Sequence, residues 1–379
     1  MELVRCSRCL LDTTVPNIKF DKNGICNYCK NHDELIKYYH IFDNEYKTGK
    51  LQEIVTKIKE KGRHNRYDCL IGVSGGTDSI YTLYLAKQLG LRPLALHFDN
   101  GWNSEIANHN IQNATKKLGI DLYTYVVDWE EFKKIQIAFL RASVPCVEVP
   151  TDIAITGVRF KIAVQENIKY IIDGSSFITE GTVPIDWSYI DGTYLNTINR
   201  MFGQQKNLRS HPNITIYKIF YYTFIRKILI IPILNYVDYD KNEARKLLEQ
   251  ELGWRYYGGH HYENIYSHWA FGWYTYHKFG FDKRKISLSG PVRTGKLTRE
   301  EALKIIESPP DVAPETTEYV IRKLGLTVKE YDAVMEAPNK SFRDYKTSYD
   351  VLKRFKKIVK FAVDKNLISP VAYYKYYKI

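Results

Sequence analysis

A glycine-punctuated turn between an apolar strand and a helix most constrains what this chain can fold into. Residues 70–73 form an apolar run, Ser74-Gly75-Gly76-Thr77-Asp78-Ser79 follows, and Ile80-Tyr81-Thr82-Leu83 continues as a helix. Such a turn presents bare backbone N–H groups. The helix amino end adds partial positive charge, so the turn suits a phosphate. The order Ser-Gly-Gly-x-Asp-Ser is not the Walker pattern, which ends in Gly-Lys-Ser/Thr. No lysine stands in it. Asp78 takes a place near the phosphates, where a carboxylate is useful if it holds Mg²⁺. The bland counterpart is a glycine-rich turn with no ligand.

The turn resembles the pyrophosphate loop (PP-loop) of ATP pyrophosphatases, which cleave ATP to AMP and pyrophosphate. That resemblance implies Ser74, Gly75, Gly76, Thr77, Asp78 and Ser79 as nucleotide-binding residues, with Asp78 also catalytic. The chain beyond the turn reads as strand–helix units. Residues 94–99 form a second strand, 103–118 a helix, 122–127 a third strand and 130–142 a helix. Ligands of open α/β sheets bind at the carboxyl ends of strands, so His97, Asp99 and Asn100 are expected to line the crevice. His97 equally suits a structural place beside a turn. The stretch 144–150 reads as an extended piece between two prolines. Its Cys146 reads first as a small buried residue and second as a catalytic thiol; Cys69 reads as core. A helix over 151–166 leads to a strand at 170–173, which ends in Gly174-Ser175-Ser176. The corresponding loop of PP-loop enzymes lies near the adenosine or the α-phosphate, which makes Gly174 and Ser175 further cofactor-binding candidates. Another strand is expected at 228–234. Repeated units of this kind predict an α/β fold with a doubly wound parallel sheet.

Four of the six cysteines form two pairs, Cys6-x-x-Cys9 and Cys26-x-x-Cys29. This is the spacing of a four-thiolate zinc knuckle with each pair on a tight turn. Four thiolates leave no open position for water, so the Zn²⁺ is expected to be structural. The expected organisation is a zinc module at 1–35, linking helices at 36–66, a PP-loop domain at 67–255, and an acceptor-binding and helical region at 256–379.

Lysine and arginine number 55 against 43 acidic residues, a formal charge of +12. That predicts attraction to anions such as nucleotides, nucleotide-sugars or RNA, without choosing among them. The longest apolar stretch, 214–237, is interrupted by Lys218, Arg226, Lys227 and Pro232, too often for a membrane span. The start of the chain lacks the apolar core of a secretory signal. A cytoplasmic protein is expected. In the second half, 253–264 packs glycines, His260, His261 and Glu263 among aromatics. Residues 278–285 form a glycine-punctuated basic loop that suits phosphates or a sugar carboxylate, or simply solvent. Thr298-x-x-Glu301 and Thr327-x-x-Glu330 start helices. A last amphipathic helix carries Val351, Leu352, Phe355, Ile358, Val359 and Ala362 on one side.

Three features coincide: the cysteine pairs, the 74–79 loop, and Gly-Trp-x-x-Tyr-Gly-Gly-x-His-Tyr-Glu followed by Lys-Phe-Gly-x-Asp-Lys-Arg and Leu-Thr-Arg-Glu-Glu-Ala. Together they resemble the N-acetyl sugar amidotransferases of bacterial surface-polysaccharide synthesis, which make acetamidino sugars of lipopolysaccharide O-antigens and nonulosonic acids. The family has a Lys and a Ser where this chain has His260 and Asn264. The resemblance implies that ATP adenylylates the oxygen of a sugar N-acetyl group and that ammonia then displaces AMP. It implies His261, Lys283 and Arg284 as acceptor-side catalytic candidates. It also implies ATP and Mg²⁺, an N-acetylated sugar substrate, and no nucleic acid. Ammonia is mostly protonated near neutral pH, and the chain carries no recognisable glutaminase, with Glu2 where an amino-terminal cysteine nucleophile would stand. A glutaminase subunit and a barrel-type ammonia-channelling subunit, similar to the histidine-pathway pair, are therefore expected as partners. Two rival readings stay open. A tRNA thiolase would suit the knuckle, the loop, the basic charge and Cys146. A nucleotide-binding scaffold would suit all but the intact loop.

Overall fold

The computed structural model describes residues 3–204, 207–259 and 262–378. Helices α1 (Asn27–Tyr39) and α2 (Asn44–Gly62) lead into the sheet domain. There β1 (Cys69–Val73), α3 (Thr77–Gln88), β2 (Pro93–Asp99), α4 (Glu105–Leu118), β3 (Leu122–Val126), α5 (Trp129–Arg141), α6 (Val149–Gln165) and β4 (Tyr170–Asp173) follow. Short α7 (Phe177–Glu180), α8 (Gly192–Phe202) and α9 (Ile216–Phe220) precede β5 (Leu229–Pro232) and α10 (Lys241–Leu252).

All five strands run parallel in the order β3-β2-β1-β4-β5. Side chains alternate across a strand, so each strand serves two cores. Leu70, Leu94, Leu96 and Ile171 face α5 and α6 on one side, while Ile71, Val73, Ala95 and Ile172 face α3, α4 and α10 on the other. The doubly wound parallel sheet expected from sequence is what forms. Its strand order reverses between β1 and β4, the place at which open α/β sheets form a crevice. Both expected phosphate-side loops, 74–79 and 174–176, flank that switch point.

Four boundaries differ from the sequence reading. The stretch 144–150 is not extended to its end: α6 already begins at Val149, with Pro150 in its first turn, where a missing N–H costs nothing. The strand expected at 228–234 stops at Pro232, and a 3₁₀ turn takes Ile233–Tyr236. Helix α1 begins inside the knuckle, with Cys26 as its cap. The single last amphipathic helix is divided at Phe355.

The C-terminal region comprises α11 (Ile265–Trp269), α12 (Thr275–Phe279), α13 (Arg284–Arg293), α14 (Arg299–Glu307), α15 (Pro314–Leu324), α16 (Val328–Glu336), α17 (Tyr349–Arg354), α18 (Lys356–Asp364) and α19 (Pro370–Tyr377). The two expected capping boxes start α14 and α16. Tyr266, Trp269, Val320, Leu324 and Phe342 join the same core as Leu70 and Ile171, so this region completes the sheet domain's packing. No helix among the described residues is long and apolar enough to cross a membrane.

Candidate functional site

The turn after β1 is held open by specific bonds. Gly75 has φ +83°, and a Cβ there would lie 2.4 Å from the Ala107 carbonyl oxygen, so only glycine fits. The Ser79 hydroxyl accepts from the Ser74 N–H at 3.1 Å, and the Ser74 hydroxyl from the Gly76 N–H at 3.3 Å. Asn110, fully buried on α4, donates to the Gly75 and Arg255 carbonyls at 3.2 and 2.9 Å and accepts from the Arg255 N–H at 2.8 Å. The Trp254 indole donates to the same Gly75 carbonyl at 2.9 Å. The carbonyls are thereby turned back into the protein.

Asp78, in the first turn of α3, does not stand alone. The Lys241 ammonium lies 2.8 Å from one carboxylate oxygen, and the Tyr239 hydroxyl donates to the other. Burial, then Asp78, push the Tyr239 phenol well up, so it stays a donor. The lysine missing from the turn is therefore supplied from the first position of α10. Its sequence signal was slight, a lysine directly after the Asp240 cap. Sequence reading also missed Glu180. Burial, then Asp78, push its carboxyl up to about 8, with Lys241 opposing and Asp173 and Glu263 adding. Asp78, Asp173 and Glu263 all act on Glu180, so acidic groups surround the loop, with Asp173 paired to Arg159 at 2.8 Å; among the described residues only the four cysteines lie close enough together for three or more to share one metal ion. Carboxylate oxygens are the donors that suit a hard divalent cation once phosphate oxygens complete the set.

The segment after α10 crosses the mouth of the loop. The Tyr257 hydroxyl accepts from the Thr77 N–H at 3.4 Å. A Cβ on Gly76 would lie 3.2 Å from that hydroxyl and 3.6 Å from Glu263 Oε1. The Glu263 carbonyl accepts from the Ser104 N–H, and Asn264 bridges to Asn103 and Asn100 at the end of β2. The aromatic segment singled out from sequence therefore meets the PP-type loop directly. His260 and His261 lie outside the described residues.

The other expected site residues divide. His97 is buried, with Nδ1 3.2 Å from the Val73 carbonyl and Nε2 3.1 Å from Asn103 Nδ2. Burial lowers its pKa, and a neutral ring donating from Nδ1 and accepting at Nε2 satisfies both contacts. His97 props the crevice floor. Asp99 closes its own turn by accepting from the Gly101 N–H at 2.8 Å. Gly174 packs so closely on α3 that a Cβ would lie 2.9 Å from Thr82 Oγ1, and the Ser175 N–H donates to Asp173 at 2.8 Å. Lys283 lies over the Phe271 ring, 3.5 Å from its centroid. Arg284 is turned elsewhere: it binds Asp282 at 2.7 Å and donates to the Ile305 and Ser308 carbonyls. Arg284 thereby clamps the end of α14. Cys146 is buried against Ser188, and burial pushes its thiol up, which disfavours a thiolate nucleophile.

Cys6, Cys9, Cys26 and Cys29 come together, with their sulfurs all within 4.8 Å of one another. Cys6–Cys29 and Cys9–Cys26 are 3.9 and 3.8 Å apart. A tetrahedron with metal–sulfur bonds of about 2.3 Å has edges of about 3.8 Å, so the four sulfurs fit one mononuclear metal ion. Buried Arg293 of α13 donates to Cys29 and Cys9 Sγ, 3.3 Å each. Burial lowers its pKa, but the Cys9 and Cys29 sulfurs outweigh this and raise it. Lys285 pairs with Asp12 at 2.6 Å, and the Leu10 N–H donates to Ser289 at 3.2 Å. The knuckle is thus fastened along α13.

Over 173 residues the chain is 28% identical to an uncharacterized protein of Methanocaldococcus jannaschii, covering 45% of this chain and 58% of that protein. Over 64 residues it is 33% identical to the tRNA(Ile)-lysidine synthase of Chlamydia pneumoniae, covering 16% of this chain and 20% of that one. The matches thus span under two thirds of either curated relative. Among solved structures, NMN synthetase from Francisella tularensis is similar at TM-score 0.33 and 14% identity, covering 76% of this chain and 96% of that one. NH3-dependent NAD synthetase from Campylobacter jejuni is similar at 0.32 and 12%, covering 79% and 99%. The U34-tRNA thiolase NcsA of Methanococcus maripaludis with its [4Fe-4S] cluster is similar at 0.33 and 14%, covering 90% and 91%. Likenesses at these scores carry no argument about chemistry. Residues 263–359 match a family model described as "LPS biosynthesis protein WbpG-like, C-terminal domain", so over those residues the chain carries a WbpG-like domain.

Proposed function

We propose that the protein is an ATP-dependent, AMP-forming amidotransferase that converts the N-acetyl group of a sugar to an acetamidino group in surface-polysaccharide synthesis. One observation carries the reading. The 74–79 loop, with Lys241 on Asp78, sits at the β1/β4 switch point and is roofed by the segment that enters the WbpG-like domain.

The chemistry follows from the leaving group. An amide oxygen is expelled poorly; bonded to the α-phosphorus of ATP it becomes part of AMP. The acetamido oxygen attacks that phosphorus and pyrophosphate departs. The nitrogen of ammonia then bonds to the imidate carbon, the carbon–oxygen bond breaks, and AMP leaves with the oxygen. Loss of a proton gives the amidine. The N–H groups at the amino end of α3 and the Lys241 ammonium would meet the negative charge that grows on pyrophosphate. Tyr239 and Lys241 hold Asp78 in one orientation. Asp78 and Glu180 would hold Mg²⁺, which when bound neutralises phosphate charge. The four thiolates would hold Zn²⁺ in a structural role. Ammonia would come from a glutaminase partner through a barrel-type subunit.

The test supplies ammonium chloride in place of partners, with ATP, Mg²⁺ and a panel of nucleotide-linked N-acetyl sugars. AMP, pyrophosphate and a product in which one oxygen is replaced by NH are expected together. AMP formation that depends on tRNA and a sulfur donor, and on no sugar, would replace this reading with the thiolase.

A further inference from the structure

A second group of ionisable side chains lies at the amino end of α6, apart from the loop. Glu148 is its cap residue and is 3% exposed. One carboxyl oxygen accepts from the Ser267 hydroxyl at 3.0 Å, and the other, Oε1, has no partner. Burial, then Asp152, push this carboxyl up to about 8, so near neutrality it is a protonated donor. Lys283 faces Cys146, Asp152 and Glu148, and Lys375 of α19 faces Cys146, Asp152 and Lys283. Neither ammonium has a hydrogen-bond or ion-pair partner among the described residues. Lys283 rests on the Phe271 ring, and burial lowers the pKa of both lysines.

Two neighbouring ammonium groups, a neutral carboxyl, the amino end of a seventeen-residue helix and one carboxylate leave net positive charge in this group. Both lysines are half-buried, and an unpaired ammonium that has lost part of its water is costly, so an anion would complete it. The WbpG-like match ends at residue 359, so Lys375 lies outside it.

We infer that Lys283, Lys375 and the Glu148 end of α6 form a subsite for one anionic group, a carboxylate or a phosphate, on the molecule whose amide is presented to the loop. The inference rests on the amidotransferase reading and assigns Lys283 to acceptor binding. Lys375 brings the last helix into the site.

Calorimetric titration of the whole protein tests this with three probes: UDP-N-acetylglucosaminuronate, N-acetylglucosamine 1-phosphate and uncharged N-acetylglucosamine. Replacing Lys375→Gln is expected to weaken an anionic probe about 10- to 100-fold, as loss of one charge-assisted hydrogen bond does. Lys375→Arg should restore most of it. ATP affinity and melting temperature should hold, which separates lost binding from lost folding. Dependence confined to the uronate identifies a carboxylate subsite; dependence confined to the sugar phosphate identifies a phosphate subsite. Anionic probes that bind Lys375→Gln and Lys283→Gln as tightly as the unaltered protein would overturn the inference. Failure of any sugar to support AMP formation, with lysine-dependent anion binding intact, would sink the amidotransferase reading alone.

Discussion

Replacing Arg293→Gln should loosen the metal held by the knuckle. Four thiolates around a divalent ion carry two net negative charges, and a buried guanidinium donates to two of those sulfurs at 3.3 Å. The same residue's carbonyl accepts from Arg8 at 3.2 Å, so the backbone stays anchored when the side chain is shortened. Partners that bond the ligands of a metal typically contribute 10- to 100-fold in affinity, which is about 1.4–2.8 kcal/mol. A hydrogen bond to a charged group contributes about 1.5–3 kcal/mol by itself. Two are lost here, yet the freed sulfurs and the glutamine regain part, so about 2 kcal/mol, or some 30-fold, is expected. The assay is competition for zinc with a chromogenic chelator at neutral pH, paired with melting of the metal-loaded protein. Arg293→Lys keeps the charge but loses the two-pronged geometry, and should fall between. If Arg293→Gln holds the metal within twofold of the unaltered protein, the bonds to Cys9 and Cys29 are packing contacts and the charge argument fails.

Three further outcomes follow from the loop. Lys241→Ala should lower pyrophosphate release about 10²- to 10³-fold, as loss of a preorganised electrostatic group does, with the chain still folded. Gly75→Ala should abolish ATP binding and lower the melting temperature, because its Cβ would meet the Ala107 carbonyl at 2.4 Å; unchanged ATP affinity would contradict the loop geometry. Glu180, pushed up to about 8 from an ordinary 4.5, makes the ligand-free fold lose stability as pH rises from 4.5 to 8, because the unfolded chain sheds this proton first. Binding of Mg²⁺–ATP at pH 7 should then release a proton. Calorimetry in buffers of different ionisation enthalpy reads it, and proton release equal in Glu180→Gln would rule this group out as its source.

What was legible in the sequence was local. The β1–turn–α3 unit and the two cysteine pairs each lie within a short stretch, where spacing alone carries the geometry. The parallel sheet followed from repeated strand–helix units. Less legible were elements whose ends depend on backbone chemistry, such as the strand stopped by Pro232 and the helix begun at Val149. Least legible were charges delivered from afar. Lys241 reaches Asp78 across 163 residues, and Arg293 reaches Cys29 across 264. Neither has a periodic or motif signal. Arg284 is hard to read for the converse reason: in a basic run it looks like ligand chemistry, and only the fold reveals the carbonyls at the end of α14 that it binds.

Those distant deliveries make the loop and the C-terminal region one machine part. A Walker turn carries its own lysine; here the cation arrives on α10. The segment that follows α10 then returns to fix the turn itself, through Trp254 and the Asn110–Arg255 exchange. It continues to Tyr257 and Glu263 at Gly76 before entering α11, whose Tyr266 and Trp269 are buried in the sheet's own core. A chain cut at 255 would keep Lys241 and Trp254 but lose both polar groups over Gly76 and expose that core. The geometry of the 74–79 loop therefore requires the WbpG-like region to be folded against it. On the amidotransferase reading, an acceptor bound to that region would meet a loop already shaped by the same contacts.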